Sequence, residues 1–293
     1  MPRLPVRIDA AALEARAADL ARRAFKAETK AAAIDLAIAT MDLTTLEGRD
    51  TAATVAALCA RGAAPAPGAP AVAAICVYPN LVAVAARALT GSNVRVASVA
   101  TAFPSGQSSL EVKLRETRDA IDAGAHEIDM VIDRGAFLAG RDADVAREIA
   151  AVRDACGSAT LKVILEVGEL GSYAAMRRAC ELALAGGADF LKTATGKIGV
   201  SSTPAIALVL CEAIAEHARR TGAHVGLKFA GGIRTTKHAF AYIAIVNETL
   251  GDAWLVPKRL RIGASSLLDD LLLQRAKLAT GAYGDPARAA IAT

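Results

Sequence analysis

Short apolar runs recur along the chain, and longer stretches with a helical period separate them. The runs are AIDLAIATMDLTT, AAICVYP, VRVASVATAFP, HEIDMVID, TLKVILEVG, DFLKTATG, HVGLKFAGG and RLRIGASS, which makes eight candidate strands. Between them, stretches such as SSLEVKLRETRDAIDAGA and STPAIALVLCEAIAEHARRTG return apolar residues about every three to four positions, the spacing of one helix face. Gly124 and Gly222 sit where two of these helices should end in a left-handed C-cap. Strand and helix alternating eight times predict an α/β protein with a parallel sheet. The count of eight predicts a single closed (β/α)8 TIM barrel, with a doubly wound open sheet as the alternative.

No linker splits this pattern. Residues 1–30 read as an N-terminal helical extension packed on the barrel, residues 31–280 as the barrel, and residues 281–293 as a C-terminal tail. The stretch RGAAPAPGAP (Arg61–Pro70) reads as a surface loop that lengthens the connection into the second strand.

Alternation along the strands sorts their side chains into two faces. In HEIDMVID, Ile128, Met130 and Ile132 form an apolar outer set, while Glu127, Asp129, Val131 and Asp133 face the other way. In VGLKFAGG, Val225, Leu227 and Phe229 face out. Gly226, Lys228 and Ala230 face in, and the two small residues leave space for a ligand around the amine. Phe190, Lys192 and Ala194 share a face, as do Asp42 and Thr44. Two lysines and two carboxylates are thus aimed at the barrel interior, a place usually filled by Val, Ile and Leu. Buried charges must be paired. A structural salt-bridge cluster would satisfy that rule, and so would a catalytic site at the C-terminal ends of the strands.

Amine catalysis suits the set. A lysine has an ordinary pKa of about 10.4, so only about one in a few thousand is a free amine at neutral pH. Burial lowers that pKa, and so does a second ammonium on the neighbouring strand. The freed amine of Lys192 could attack an aldehyde and form a Schiff base, whose iminium is an electron sink for C–C cleavage. Asp129 could shuttle the protons, and the chemistry requires no metal or cofactor. A phosphate grip is also legible. TGK follows the sixth run, GGIRT the seventh and GASS the eighth, with Lys197 and Arg234 alongside. Gly and Ser where a helix begins present backbone N–H groups to an anion.

Composition narrows the function classes. The 293 residues are 54% hydrophobic and 22% charged, with a formal net charge of +4, and no dense Lys/Arg block of a nucleic-acid-binding arm is present. The five cysteines are scattered without a CxxC pair, and the four histidines lack zinc-ligand spacing. The N-terminal stretch mixes acids and bases and is not a secretory signal. No apolar run reaches the roughly 18 to 20 uncharged residues of a membrane span. These features fit a cytoplasmic enzyme acting on a small molecule, with no nucleic-acid or membrane partner.

Seven motifs, MDLTTL, AICVYP, EIDMVI, LKVILEVGEL, DFLKTATGK, VGLKFAGGIRT and RIGASSLL, together resemble the deoxyribose-phosphate aldolase family. They run in order from about residue 34 to about residue 272. The resemblance implies a metal-free class I aldolase that reversibly cleaves 2-deoxy-D-ribose 5-phosphate to D-glyceraldehyde 3-phosphate and acetaldehyde. It implies that Lys192 is the Schiff-base lysine, Lys228 the second lysine that lowers its pKa, and Asp129 the proton-relay carboxylate. Asp42 and Thr44 match polar residues that hold the relay or a sugar hydroxyl. Cys76 matches a cysteine near the substrate, and a small apolar core residue is an equally good reading of it. Gly231, Gly232, Gly263, Ser265 and Ser266 match the phosphate-binding backbone, with Lys197 and Arg234 adding positive charge. Members are often dimers, so a homodimer is the assembly to expect.

The sequence departs from the family pattern at Phe229, where a smaller residue or proline is expected. It also ends AYGDPARAAIAT, without the C-terminal tyrosine some members use in proton transfer, and leaves Tyr283 as the substitute. The competing readings are a class I aldolase for another sugar phosphate and a non-catalytic sugar-phosphate-binding barrel. The presence of Lys192, Lys228 and Asp129 together counts against the second.

Overall fold

Eight parallel strands form a closed barrel in which each pairs with its neighbours in chain order and the last pairs with the first. In the computed structural model, which describes residues 8–23, 25, 27–199 and 202–281, they are β1 (Met41–Thr44), β2 (Ala74–Val77), β3 (Arg95–Ala100), β4 (Glu127–Val131), β5 (Thr160–Ile164), β6 (Phe190–Lys192), β7 (Gly226–Ala230) and β8 (Leu260–Ala264). The helices are α1 (Ala10–Ala21), α2 (Ala27–Ala39), α3 (Ala52–Ala63), α4 (Val82–Ala88), α5 (Leu110–Asp122), α6 (Arg134–Leu138), α7 (Asp142–Cys156), α8 (Tyr173–Ala185), α9 (Pro204–Thr221), α10 (Thr236–Leu250) and α11 (Leu267–Thr280). Of the two architectures the sequence allows, the closed barrel is the one formed.

Side-chain oxygens fix where several helices start. Thr51, Ser109, Ser172, Thr203 and Thr235 each accept a backbone N–H from the first turn of α3, α5, α8, α9 and α10. Each such cap is worth about 1 kcal/mol. Asp133, assigned from the sequence to the inward face of a strand, does the same for α6, because the strand has already ended at Val131.

The first apolar run also needs correction. Read as one strand, its leading half is helix, and only Met41–Thr44 joins the barrel. Ile34, Ala37 and Ile38 of α2 are all fully buried. Their spacing of three and four is a helical stripe, hidden in the sequence by the alanines around it. As a result α2 crosses the boundary expected at residue 30, and it packs against α10 and α11. Before it, α1 buries Leu13, Ala17 and Leu20 and packs against α9 and α10.

The main core lies between the strands and the helices. Ile128, Met130, Leu227 and Phe229 belong to it, which agrees with the outward face expected for each. Phe229 stacks on Tyr242 of α10 with ring centroids 4.5 Å apart, so the bulky residue is accommodated away from the barrel interior. The stretch read from the sequence as a loop, Arg61–Pro70, begins in the last turn of α3, which runs to Ala63, and its remainder is held against α11, where the Arg275 guanidinium donates to the carbonyls of Pro67 and Gly68. No helix among the described residues is long and apolar enough to cross a membrane.

Candidate active site

Inside the barrel the inward positions of six strands meet in one ion network. Asp129 on β4 is its hub. Its Oδ1 accepts a hydrogen bond from Lys162 Nζ at 2.7 Å, and its Oδ2 accepts from Lys192 and Lys228, also at 2.7 Å each. Lys162 reaches on to Glu127 Oε2 at 2.6 Å and to Asp42 Oδ2 at 3.5 Å. Lys228 also pairs with Asp42. Arg261 on β8 joins Asp42 at 2.6 Å and Glu127 at 2.7 Å. All of these side chains are nearly or fully excluded from water. Barrel register places them together, since Asp129 pairs with Lys162, Lys192 with Lys228, and Lys228 with Arg261 across adjacent strands.

The charge balance singles out one lysine. Four buried cations (Lys162, Lys192, Lys228 and Arg261) face three carboxylates (Asp42, Glu127 and Asp129). Arg95 also touches Glu127, but its side chain is 45% exposed and water screens it. The interior is therefore neutral when one lysine loses its proton. Burial is the largest influence on Lys192 and lowers its pKa. Asp129 opposes that, Lys228 reinforces it, and the net value falls below the ordinary one. Burial acts the same way on Lys228 and Lys162, yet both end above the ordinary value because Asp129 and further carboxylates hold each proton. Lys192 has Asp129 as its carboxylate partner among the described residues, while the other two lysines each have more. Burial alone would raise Asp129, but Lys162, Lys192 and Lys228 keep it well below the usual carboxylate range.

Above this floor a cleft opens to solvent at the C-terminal mouth. Lys192 and Lys228 form its base, and Thr44 lines one side. The turns after β7 and β8 supply Gly231, Gly232, Arg234, Gly263, Ser265 and Ser266. Gly231 and Gly232 have φ of 89° and 76°, a left-handed conformation that brings backbone to the cleft wall. Lys197 lines the cleft after β6, but its Nζ lies 2.9 Å from Glu47 Oε1 and spans the mouth to the loop after β1. Its charge is partly met before any anion arrives, which the sequence did not indicate.

Two other inward residues offer no wall to the cleft. Cys76 does not line it, although its thiol lies close enough to Lys192 and Lys228 to feel their charges, and of the two readings open to it the buried core position is the one seen. It packs beside Leu46, Ala74, Ala97 and Val99 in a small apolar cluster, and burial pushes its thiol pKa up. Gly226 leaves no room for a ligand, because a Cβ there would meet the Phe190 ring at 2.4 Å. That ring fills the space under Lys228 and carries the Arg261 guanidinium 5.6 Å from its centroid. Tyr283 lies outside the described residues.

Lys162 and Arg261 are not among the residues singled out above, although the alternation that marks Lys192 applies to them. Lys162 alternates with Leu161 and Val163, and Arg261 alternates with Leu260 and Ile262, all of them in the outer core. Glu166, Thr195 and Glu47 carry no such signal, because they sit in loops where alternation has ended.

The model of the family described as DeoC/LacD family aldolase matches residues 36–272. The deoxyribose-phosphate aldolase of Mus musculus is 43% identical over 292 residues, spanning 95% of this chain and 92% of that protein. A solved putative deoxyribose-phosphate aldolase from Coccidioides immitis superposes with a TM-score of 0.71 at 25% identity, over 91% of this chain and 99% of that one. The deoxyribose phosphate aldolase of Aeropyrum pernix, described as a unique tetramer, gives a TM-score of 0.65 at 26% identity, over 85% of this chain and 93% of that one. A lysine-bearing barrel floor beneath a glycine-lined mouth and a match spanning all eight strands lead to one conclusion: the chain belongs to the DeoC/LacD family of aldolases.

Proposed function

We propose that this chain is a deoxyribose-phosphate aldolase in which Lys192 forms the Schiff base, Lys228 and Asp129 serve the proton steps, and the turns after β6, β7 and β8 hold the phosphate. The neutral amine of Lys192 adds to the C1 aldehyde of open-chain 2-deoxy-D-ribose 5-phosphate. Loss of water leaves a cationic iminium. A base, Asp129 acting directly or through water, removes the proton of the C3 hydroxyl. The C2–C3 bond then breaks and its electron pair moves toward the iminium nitrogen. D-glyceraldehyde 3-phosphate leaves, and an enamine of acetaldehyde remains. Protonation of the enamine at C2 and hydrolysis release acetaldehyde and restore the amine.

The single observation that carries this reading is the position of Lys192. Burial lowers its pKa, while the two lysines beside it stay charged. Asp129 Oδ2, 2.7 Å from its Nζ, is placed to stabilise the positive charge that returns when the iminium forms. A reducing, cytoplasm-like compartment belongs to the same reading, supported by five cysteines that are all buried and unpaired. A homodimer is the assembly to test, by analytical ultracentrifugation.

Borohydride trapping tests the chemistry. The protein is incubated with deoxyribose 5-phosphate or acetaldehyde, reduced and digested, and the adduct is located by mass spectrometry. The expected result is a substrate-dependent adduct on Lys192. An adduct on Lys228 would exchange the roles of the two lysines. A folded protein that binds the sugar phosphate without forming an adduct would be a binding barrel.

A further inference from the structure

The backbone of Glu166 stands out at the barrel mouth. Its φ of 51° and ψ of 55° lie in the left-handed region, which residues carrying a Cβ seldom enter. The other described non-glycine residues with positive φ, Thr101 and Ala102, also lie at this mouth, just after β3. Backbone in this region persists only where its surroundings over-determine it, and such sites gather near function.

At Glu166 the result is a fully buried carboxylate with three partners. Oε1 accepts the backbone N–H of Thr195 at 3.1 Å, and Oε2 accepts the Thr195 hydroxyl. Arg134 Nη1 lies 3.4 Å from Oε2. The Thr195 hydroxyl oxygen in turn accepts the N–H of Lys197 at 3.1 Å. On either side of Glu166 the backbone is tied to the strand that carries Lys192. Leu165 N–H donates to Lys192 O, and Val167 N–H donates to Thr193 O, both at 3.0 Å. Arg134 is itself anchored. Its Nη2 donates to the carbonyls of Pro104 at 3.1 Å and Ser105 at 2.9 Å, and its Nη1 pairs with Glu169 at 2.9 Å. The Thr195–Lys197 loop, part of the cleft wall, is therefore held by one carboxylate braced from behind.

We propose that Glu166 is a positioning residue that sets the Thr195–Lys197 loop for the substrate's phosphate, with Arg134 as its anchor. This rests on the reading above that the phosphate lies among the turns after β6, β7 and β8. Glu166 acts through Thr195. A carboxylate suits the task because both of its oxygens accept. A glutamine offers one acceptor and one N–H2 group, and would set donors against either Thr195 or Arg134.

The test compares kcat and KM of Glu166→Gln for deoxyribose 5-phosphate and for unphosphorylated 2-deoxyribose. Ser265→Asp, which places a negative charge at the phosphate end, is measured alongside. In Glu166→Gln, KM for the sugar phosphate is expected to rise about tenfold, with a smaller change in kcat. The ratio of kcat/KM between the phosphorylated and unphosphorylated sugars should then fall about tenfold. Thr195→Val removes the hydroxyl link while keeping the Glu166–Arg134 pair, and should lower the same ratio by a smaller factor. It also serves if Glu166→Gln does not fold. Equal losses on both sugars, leaving the ratio unchanged, would mean a merely structural role and overturn the inference. If only Ser265→Asp lowers the ratio, the positioning role fails and the phosphate reading stands. If Ser265→Asp also leaves it unchanged, the phosphate reading fails and the inference falls with it.

Discussion

Leu191 and Lys192 are neighbours on β6, at 0% and 2% exposure, and their side chains leave the strand in opposite directions. Leu191 enters the apolar layer against the helices. Lys192 enters the barrel and meets Asp129. Ile128 and Asp129 repeat the pattern on β4, as do Leu227 and Lys228 on β7. Both faces are dry, so burial does not distinguish them. The outer face is stabilised by area and packing, which many apolar side chains can supply. The inner face is stabilised by charge matching, where each member depends on its partners and on their count. Outer changes should therefore cost stability in proportion to volume, and inner changes should alter chemistry, stability or both according to which charge is left over.

The largest expected effect on activity comes from Lys192→Leu. It should lower turnover by at least about a thousandfold, because it removes the amine proposed to form the imine. Its melting temperature should stay near that of the parent, since the replaced amine is the one the network holds least firmly as a cation. Near-normal cleavage of deoxyribose 5-phosphate by this variant would break the assignment.

Asp129→Asn should strike both properties. It leaves three lysines around a neutral amide, and breaking a buried ion network of this kind costs about 3–5 kcal/mol. Urea denaturation would read that loss, together with a collapse of turnover. A stable Asp129→Asn protein would mean that the network is looser than its distances indicate.

Leu227→Ala supplies the contrast from the outer face. It should lower stability by about 2–5 kcal/mol through transfer and cavity terms. The kcat of the protein that remains folded should change little, and a large fall in kcat at unchanged melting temperature would blur the division between the faces.

Lys228→Met is the finest probe. Lys228 lowers the Lys192 pKa by charge repulsion and also occupies Asp129 Oδ2. Its loss removes a cation and frees the carboxylate, and both changes raise the Lys192 pKa. The free-amine fraction at neutral pH should fall, and the rising limb of the pH–rate profile should move to higher pH. Turnover at neutral pH should drop by about a hundredfold and recover in part under alkaline conditions. A loss without any displacement of the profile would mean that Lys228 serves proton transfer alone.

The same two-residue alternation made much of the molecule legible in the sequence. It placed Asp129, Lys192 and Lys228 on one side and Phe229 on the other, because a strand offers its side chains only two directions. It failed for AIDLAIATMDLTT, where alanine fits helix and strand equally well and the deciding contacts with α10 and α11 come from the far end of the chain. It also led to an empty space over Gly226, because nothing local reveals that Phe190 on the next strand fills it.

By itself, then, the sequence determined the eight-fold alternation, the inward direction of the key charges and the glycine-rich turns, all of which follow from short-range periodicity and backbone sterics. Only the tertiary structure decided which charges meet. Closing the barrel brought Lys162 and Arg261 into the network, gave Lys192 fewer carboxylate partners than the lysines beside it, and hung the Thr195–Lys197 loop from Glu166. Pairing in a dry interior depends on distances of a few ångströms between residues far apart in the chain, and closing the barrel sets those distances.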